Sequence, residues 1–116
     1  MQLSQGYINS NTDTGYHVLY QANRNVTVNF IQVNNISTIN DIADNLDITL
    51  KLYIRYESDL IYITPGGSSI IEGLTPLVTY ENLHYELVEG DQIIAEVSID
   101  TAANPHNKIS YIIQGE

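Results

Sequence analysis

The sequence lacks cysteine and tryptophan, and it contains only four basic residues, Arg24, Lys51, Arg55 and Lys108. The absence of cysteine excludes a disulfide scaffold, a thiolate nucleophile and a cysteine-ligated zinc site. Against 14 acidic residues and a formal net charge of -10, four scattered cations form no cluster that could neutralise a run of phosphates. We therefore expect neither nucleic acid nor an anionic membrane surface among the partners.

A long apolar run is also missing, since no stretch approaches the roughly 20 apolar residues that a membrane span requires. The first residues, MQLSQGYINS, carry neither the basic region nor the apolar core of a secretory leader. These two absences predict a protein that is made in a cytoplasm and does not bind membranes.

Isoleucine, valine, threonine and tyrosine are abundant instead, with 9 tyrosines against a single phenylalanine. Such β-branched and aromatic side chains suit half-buried strands. The segment 47–56 alternates strictly between two faces, as a strand does and a helix does not. One face carries Ile48, Leu50, Leu52, Ile54 and Tyr56, and the other carries Asp47, Thr49, Lys51, Tyr53 and Arg55.

Further strands are predicted over 15–20, 25–33, 60–63, 79–88, 93–99 and 108–114. Within 25–33, the apolar phase changes at Ile31, which predicts a β-bulge or a change of sheet. The segment 60–63 is apolar on both faces, which predicts a central strand. Between 79–88 and 93–99, the turn at Gly90 predicts a hairpin, because glycine supplies the positive φ of a tight turn.

Six to eight short strands separated by turns predict an all-β fold, either an antiparallel β-sandwich or a jelly roll, with a small barrel as the nearest alternative. At most one short helix is expected, near residues 37–45, where apolar residues have roughly helical spacing; a long polar loop is the competing interpretation.

A chain of 116 residues supports one hydrophobic core. We therefore predict a single sandwich domain over residues 16–116. Residues 1–15 are rich in Asn, Ser, Gln and Gly, which makes them a candidate N-terminal arm.

Three residues are candidate metal ligands. His84 and Glu86 stand two apart on one predicted strand face, where both could reach one metal ion together with a distant third ligand such as His17. A solvated polar face is the favoured interpretation, because Asn82 lies on the same face. We therefore predict neither a bound metal nor another cofactor.

Catalytic motifs are missing as well. The chain has no Gly-x-Ser-x-Gly elbow, and Gly66-Gly67 is followed by no lysine, so it indicates a turn rather than a phosphate loop. Asp41, Asp44 and Asp47 lack the glycine and the closing glutamate of a calcium loop. We therefore predict no catalytic residue and no enzymatic activity.

Lysine and proline, with which monomers protect the edges of their sheets, are scarce in the predicted strands. Threonine, asparagine and tyrosine take their place, and these side chains suit contacts between copies of the chain. We therefore expect a homo-oligomer, whose interface residues the pattern leaves open.

Four segments of the C-terminal 60% of the chain follow one another in a characteristic order. They are DITLKLYI (47–54), LIYITPGGSSI (60–70), YELVEGDQIIA (85–95) and ISYIIQGE (109–116). The order is a strand, a proline-containing loop, a hairpin with Gly-Asp at its turn and a last strand that ends in Gly-Glu. In this order the chain resembles small all-β virion proteins of tailed bacteriophages.

This resemblance implies a structural role without catalysis or cofactors. The implied protein is a capsid decoration (cement) protein that binds the major capsid protein, with a neck or tail accessory protein as the alternative. Such proteins are usually trimeric or ring-forming, so a homotrimer is favoured. Because a strongly acidic protein is repelled by packaged genome, we expect it on the exterior of the virion.

The residues leave two other functional classes open. The turn at 86–93 is similar to that of cupins, which bind a metal through His-x-His, but Asn82 stands where the first histidine would be. The tyrosines could also stack on sugar rings, as in a carbohydrate-binding sandwich.

Overall fold

The computed structural model describes residues 1–9, 15–35, 48–56, 59–64, 69–71, 77–98 and 108–116. These residues form ten strands. The described part of the chain contains no helix, and so none that is long and apolar enough to span a membrane. The helix expected near 37–45 falls outside the described residues.

The strands are numbered β1 to β10 in chain order. Their bounds are β1 Gln2–Asn9, β2 Gly15–Gln21, β3 Val26–Asn35, β4 Ile48–Tyr56, β5 Asp59–Tyr62, β6 Ser69–Ile71, β7 Leu77–Tyr80, β8 Tyr85–Leu87, β9 Gln92–Ser98 and β10 Lys108–Gly115.

The strands form two antiparallel sheets of five strands each. Sheet A has the order β1-β10-β3-β7, with β8 also paired to β3, and sheet B has the order β2-β9-β4-β5, with β6 also paired to β4. The all-β antiparallel sandwich expected from the sequence is therefore confirmed.

The strands pair from the two ends of the chain towards its middle. The first strand pairs with the last, the second with the second last, β3 with β7 and β8, and β4 with β5 and β6. A long antiparallel ribbon that folds over on itself in this way is a jelly roll. Of the architectures that the sequence allows, the strand order therefore selects the jelly roll.

The core lies between the two sheets and consists of aliphatic side chains from both. In β4, the residues at alternate positions are buried and belong to this core, as the sequence pattern predicts. The core includes Val28, Ile31, Leu50, Leu52, Ile54, Ile93, Ile109 and Ile113.

The phase change in β3 is a β-bulge. Phe30 pairs with Gln114 but Val28 pairs with Gly115, so β3 has one extra residue at this point. Both halves of β3 remain in sheet A. The bulge lets Val28 and Ile31 both point into the core, although they are three residues apart.

The expected strand over 79–88 is interrupted. On β3, Ile31 pairs with Tyr80 of β7 and Val28 pairs with Tyr85 of β8. The four residues 81–84 therefore lie opposite only two residues of β3, and they form a bulge. Asn82 has a positive φ of 56 there. Asparagine tolerates this conformation better than most residues because its short side chain bonds locally.

The hairpin expected around Gly90 is wrong, although its turn is present. The Asp91 N–H donates to the Val88 carbonyl over 3.0 Å, and Gly90 has a φ of 99. A side-chain oxygen of Asp91 accepts a hydrogen bond from the Val88 N–H at 2.9 Å, and this second bond also stabilises the turn. However, β8 lies in sheet A and β9 in sheet B, so this turn carries the chain between the layers.

Residues 2–9 form an edge strand rather than part of an N-terminal arm. They pair with β10 along their length, from Gln2 opposite Gln114 to Asn9 opposite Lys108. Their polar composition fits an edge strand with one face in solvent. Residues 10–14 of the expected arm lie outside the described part of the chain.

The strand at β5 is an edge strand and not the central strand that its apolar sequence predicts. Its one sheet neighbour among the described strands is β4, and all four of its residues are exposed. The rest of the protein covers an edge strand less than a central strand, so the apolar side chains of β5 are exposed to solvent.

Candidate functional site

An apolar row crosses the outer face of sheet B, which points away from the core. Its four members stand directly opposite one another on β2, β9, β4 and β5, which are neighbours in the sheet: Val18 faces Ile94, Ile94 faces Tyr53, and Tyr53 faces Tyr62. The term "apolar row" is used below for these four residues. Outer sheet faces usually alternate to polar residues, so this row is unusual for a face in solvent.

The middle of the apolar row is buried, whereas its ends are not. Ile94 and Tyr53 are each only 4% exposed, although neither belongs to the core between the sheets. The ends remain open to solvent, with Val18 at 52% and Tyr62 at 49% exposed. The rings of Tyr53 and Tyr62 meet edge to face, with centroids 5.5 Å apart. This geometry is favourable for aromatic pairs and fixes both rings.

The surroundings of Tyr53 also act on its hydroxyl. Burial raises the pKa of Tyr53 above its ordinary value, and the nearby Tyr16, Glu96 and Tyr62 raise it further. Both effects favour the protonated form of the hydroxyl.

A groove of about 400 Å³ lies over three members of the apolar row, Val18, Ile94 and Tyr53. Tyr16 and Leu60 line it and are themselves 71% and 52% exposed. Arg55 and Gln92 supply its polar lining. An exposed apolar patch with a polar rim is typical of a surface that binds another molecule.

Charged residues flank the apolar row on one side. Glu96 of β9 stands directly opposite Lys51 of β4, and both are partly exposed. On the other side, Gln92 stands opposite Arg55. Two of the four cations of the chain, Lys51 and Arg55, are thus on the strands of this face.

The candidate metal ligands do not come together. His84 and Glu86 are in contact, with 3.4 Å between Nε2 and Oε1, but both side chains are more than three-quarters exposed. His17 lies on β2 in the other sheet. Within the part of the chain that the structure describes, no group of three His, Cys, Asp or Glu side chains could hold a metal ion. Asp41, Asp44 and Asp47 lie outside that part.

The apolar row was not found from the sequence, although part of the pattern was visible. Tyr53 was assigned to the polar face of its strand, among Thr49, Lys51 and Arg55, and an isolated tyrosine there attracts no attention. The register of four strands is needed to place Val18, Ile94 and Tyr62 beside it. The surplus of apolar residues in 60–63 was the one usable sign.

Comparison of the chain with protein-family models, with curated proteins and with solved structures gives no significant match. The interpretation of the surface therefore depends on its own geometry and chemistry.

Proposed function

We propose that this protein is a non-enzymatic structural component of a bacteriophage virion, which decorates the exterior of the capsid shell and stabilises it. The observation that carries the proposal is the outer face of sheet B, where exposed apolar side chains surround the buried pair Ile94 and Tyr53 and charged residues flank them. The exposed members are Tyr16, Val18, Leu60 and Tyr62. Such a patch suits protein–protein contact. The sequence resemblance to small virion proteins is the reason for proposing a virion as the assembly to which the protein binds.

The mechanism is burial of apolar and tyrosine surface at contacts that repeat over the particle. Each contact is small, since the patch spans four strands at about 4.8 Å spacing. Many weak contacts on one shell nevertheless give strong overall attachment, because the later contacts form at a high effective concentration. The net charge of -10 keeps such a protein soluble at high copy number.

A neck or tail accessory role is the alternative within the same class, and it uses the same kind of contact. Carbohydrate binding is a second alternative, because a sugar ring stacks on an open aromatic face. Tyr53 is only 4% exposed, but Tyr16 and Tyr62 on the same face of the sheet are 71% and 49% exposed.

The proposal is tested by co-sedimentation of the purified protein with capsid shells assembled from the major capsid protein of the same phage. We expect the wild-type protein to sediment with the shells and Leu60→Asp to remain in the supernatant, because Leu60 lines the groove and a carboxylate there is costly to bury.

Val88→Asp is the matched control. Val88 is 56% exposed, close to the 52% of Leu60, but it lies on the turn after β8 and away from the groove. This variant should bind shells as the wild type does. Failure of the wild-type protein to bind any shell, expanded or not, would overturn the proposed function.

A further inference from the structure

We propose that the outer face of sheet A holds a binding site for a neutral glycan. In a sandwich the outer faces of the two sheets point in opposite directions, so this site is separate from the face of sheet B described above. Glycan binding here is independent of shell binding, and a protein attached through sheet B would still present sheet A to its surroundings.

The main strands of sheet A contain no acidic residue. Along the path β1, β10, β3 and β7, Lys108 is the one charged residue, and Glu86 lies on β8, off this path. The whole chain has 14 acidic residues, and the strands of sheet B include Asp59 and Glu96. Carboxylates would improve the solubility of a face that is merely in solvent. Their absence from these strands indicates a surface that binds an uncharged ligand.

A groove of about 330 Å³ lies over β1 and β10 on this face. Gln5 stands opposite Ile112, and Tyr7 stands opposite Ser110. These four residues line the groove, and they alternate along their strands with residues of the core, so their side chains point away from it. The groove therefore offers an amide, a hydroxyl, an aromatic ring and one aliphatic side chain.

Tyr7 is the aromatic anchor of this groove. It is 68% exposed, and Nζ of Lys108 lies 4.7 Å from the centroid of its ring. This cation–π contact orients the ring, while much of the side chain stays open to a ligand. The C–H groups of a sugar ring stack on such an aromatic surface, and the sugar hydroxyls bond to the polar groups beside it.

The next two strands extend the polar surface. Gln32 of β3 stands beside Ile112, and Asn34 of β3 stands beside Ser110. Thr79 of β7 continues the row of Gln32. All three are partly exposed. Amide groups both donate and accept hydrogen bonds, as sugar hydroxyls do. The four strands span about 14 Å, which suits a chain of several sugar units.

A protein partner fits this surface less well than a glycan does. Ile112 is the one aliphatic side chain among the seven residues named in these two rows. Little apolar area could therefore be buried there, whereas the centre of a protein interface is mostly apolar. The amides and hydroxyls would each need a hydrogen-bond partner, and a polyhydroxyl ligand supplies many of them.

The test is electrophoresis of the native protein in gels that contain a polysaccharide. Dextran, mannan and galactan are the neutral probes, and alginate is the acidic one. The protein migrates because of its net charge of -10, so binding to the immobile polysaccharide slows it. We expect at least one neutral polysaccharide to retard the protein. Alginate should not, because its carboxylates repel an acidic protein.

Tyr7→Ala should weaken the binding about tenfold, because it removes the aromatic anchor. Gln5→Ala should weaken it about threefold, because it removes one hydrogen-bonding side chain. Tyr16→Ala is the matched comparison, since Tyr16 is 71% exposed but lies on sheet B; we expect it to be retarded as the wild type is. Urea unfolding checks that each variant is folded.

No retardation by any neutral polysaccharide, retardation by alginate alone, or unchanged binding by Tyr7→Ala would overturn the inference. Loss of binding in Tyr16→Ala in place of Tyr7→Ala would also overturn it, because the sugar would then bind sheet B. These outcomes are separate from failure of the proposed function. A protein that binds shells but no polysaccharide contradicts the glycan site alone, and the reverse result contradicts the decoration role alone.

Discussion

Replacement of Gly115 by alanine is expected to lower the free energy of unfolding by about 3 kcal/mol. A β-carbon at this position would collide with the backbone carbonyl oxygen of Thr27 and lie 2.9 Å from a methyl carbon of Leu3. The backbone cannot easily move away, because Thr27 and Glu116 exchange two hydrogen bonds of 2.9 Å and the Gly115 N–H donates to the Met1 carbonyl. Urea denaturation followed by circular dichroism measures the loss.

Gly6→Ala is the matched control for this prediction. A β-carbon at Gly6 would lie 2.7 Å from the hydroxyl oxygen of Tyr111, which is the far end of a side chain and not backbone. The ring can shift by a few tenths of an ångström, so the expected loss is about 1 kcal/mol. Equal stability of Gly115→Ala and the wild type would mean that β1, β3 and β10 do not meet as closely at this end.

The second large effect is expected for Leu52→Ala, at about 3 kcal/mol. Leu52 is 0% exposed and points into the core between the sheets. Its truncation removes buried apolar surface and leaves a cavity that the two rigid sheets cannot close. Because domains of this size are stable by only about 5–15 kcal/mol, the variant should unfold at a clearly lower urea concentration.

Leu60→Ala makes the same chemical change on the outer face of the same sheet. Leu60 is 52% exposed, so the expected loss is below about 1 kcal/mol when measured at low protein concentration. Losses of similar size at Leu52 and Leu60 would contradict the assignment of inner and outer faces in sheet B.

The strands that the sequence predicted best are those with one face in the core. β4 and β10 were located to within a residue or so, because the core requires an apolar side chain at every second position of each strand. The bulge in β3 was likewise visible as the phase change at Ile31. In each of these cases, the local sequence pattern and the tertiary structure favour the same backbone conformation.

Errors arose where position in the sheet decides the outcome. The segment 60–63 has the composition of a central strand, but its apolar residues partly serve an exposed surface, and composition alone does not distinguish the two uses. The turn at Gly90 has the local chemistry of a hairpin, yet β8 pairs with β3 and β9 pairs with β2 and β4. The position of β5 at the edge of its sheet decided the first outcome, and pairing partners distant in sequence decided the second.

The candidate site was hidden for the same reason. Four of the five strands of sheet B each contribute one residue to the apolar row, and only the register between strands aligns them. The site residues considered from the sequence were titratable ones, His17, His84 and Glu86, because catalytic and metal chemistry has recognisable residue types. A surface for assembly has no such motif and is recognised by shape and exposure.

The proposal that this jelly roll decorates the exterior of a virion is tested most directly by electron microscopy of virions labelled on this protein. We expect label distributed over the outer surface of the head. Particles without label, or label confined to the interior of the head, would contradict the claim, and label at the neck or tail would replace it with the accessory role.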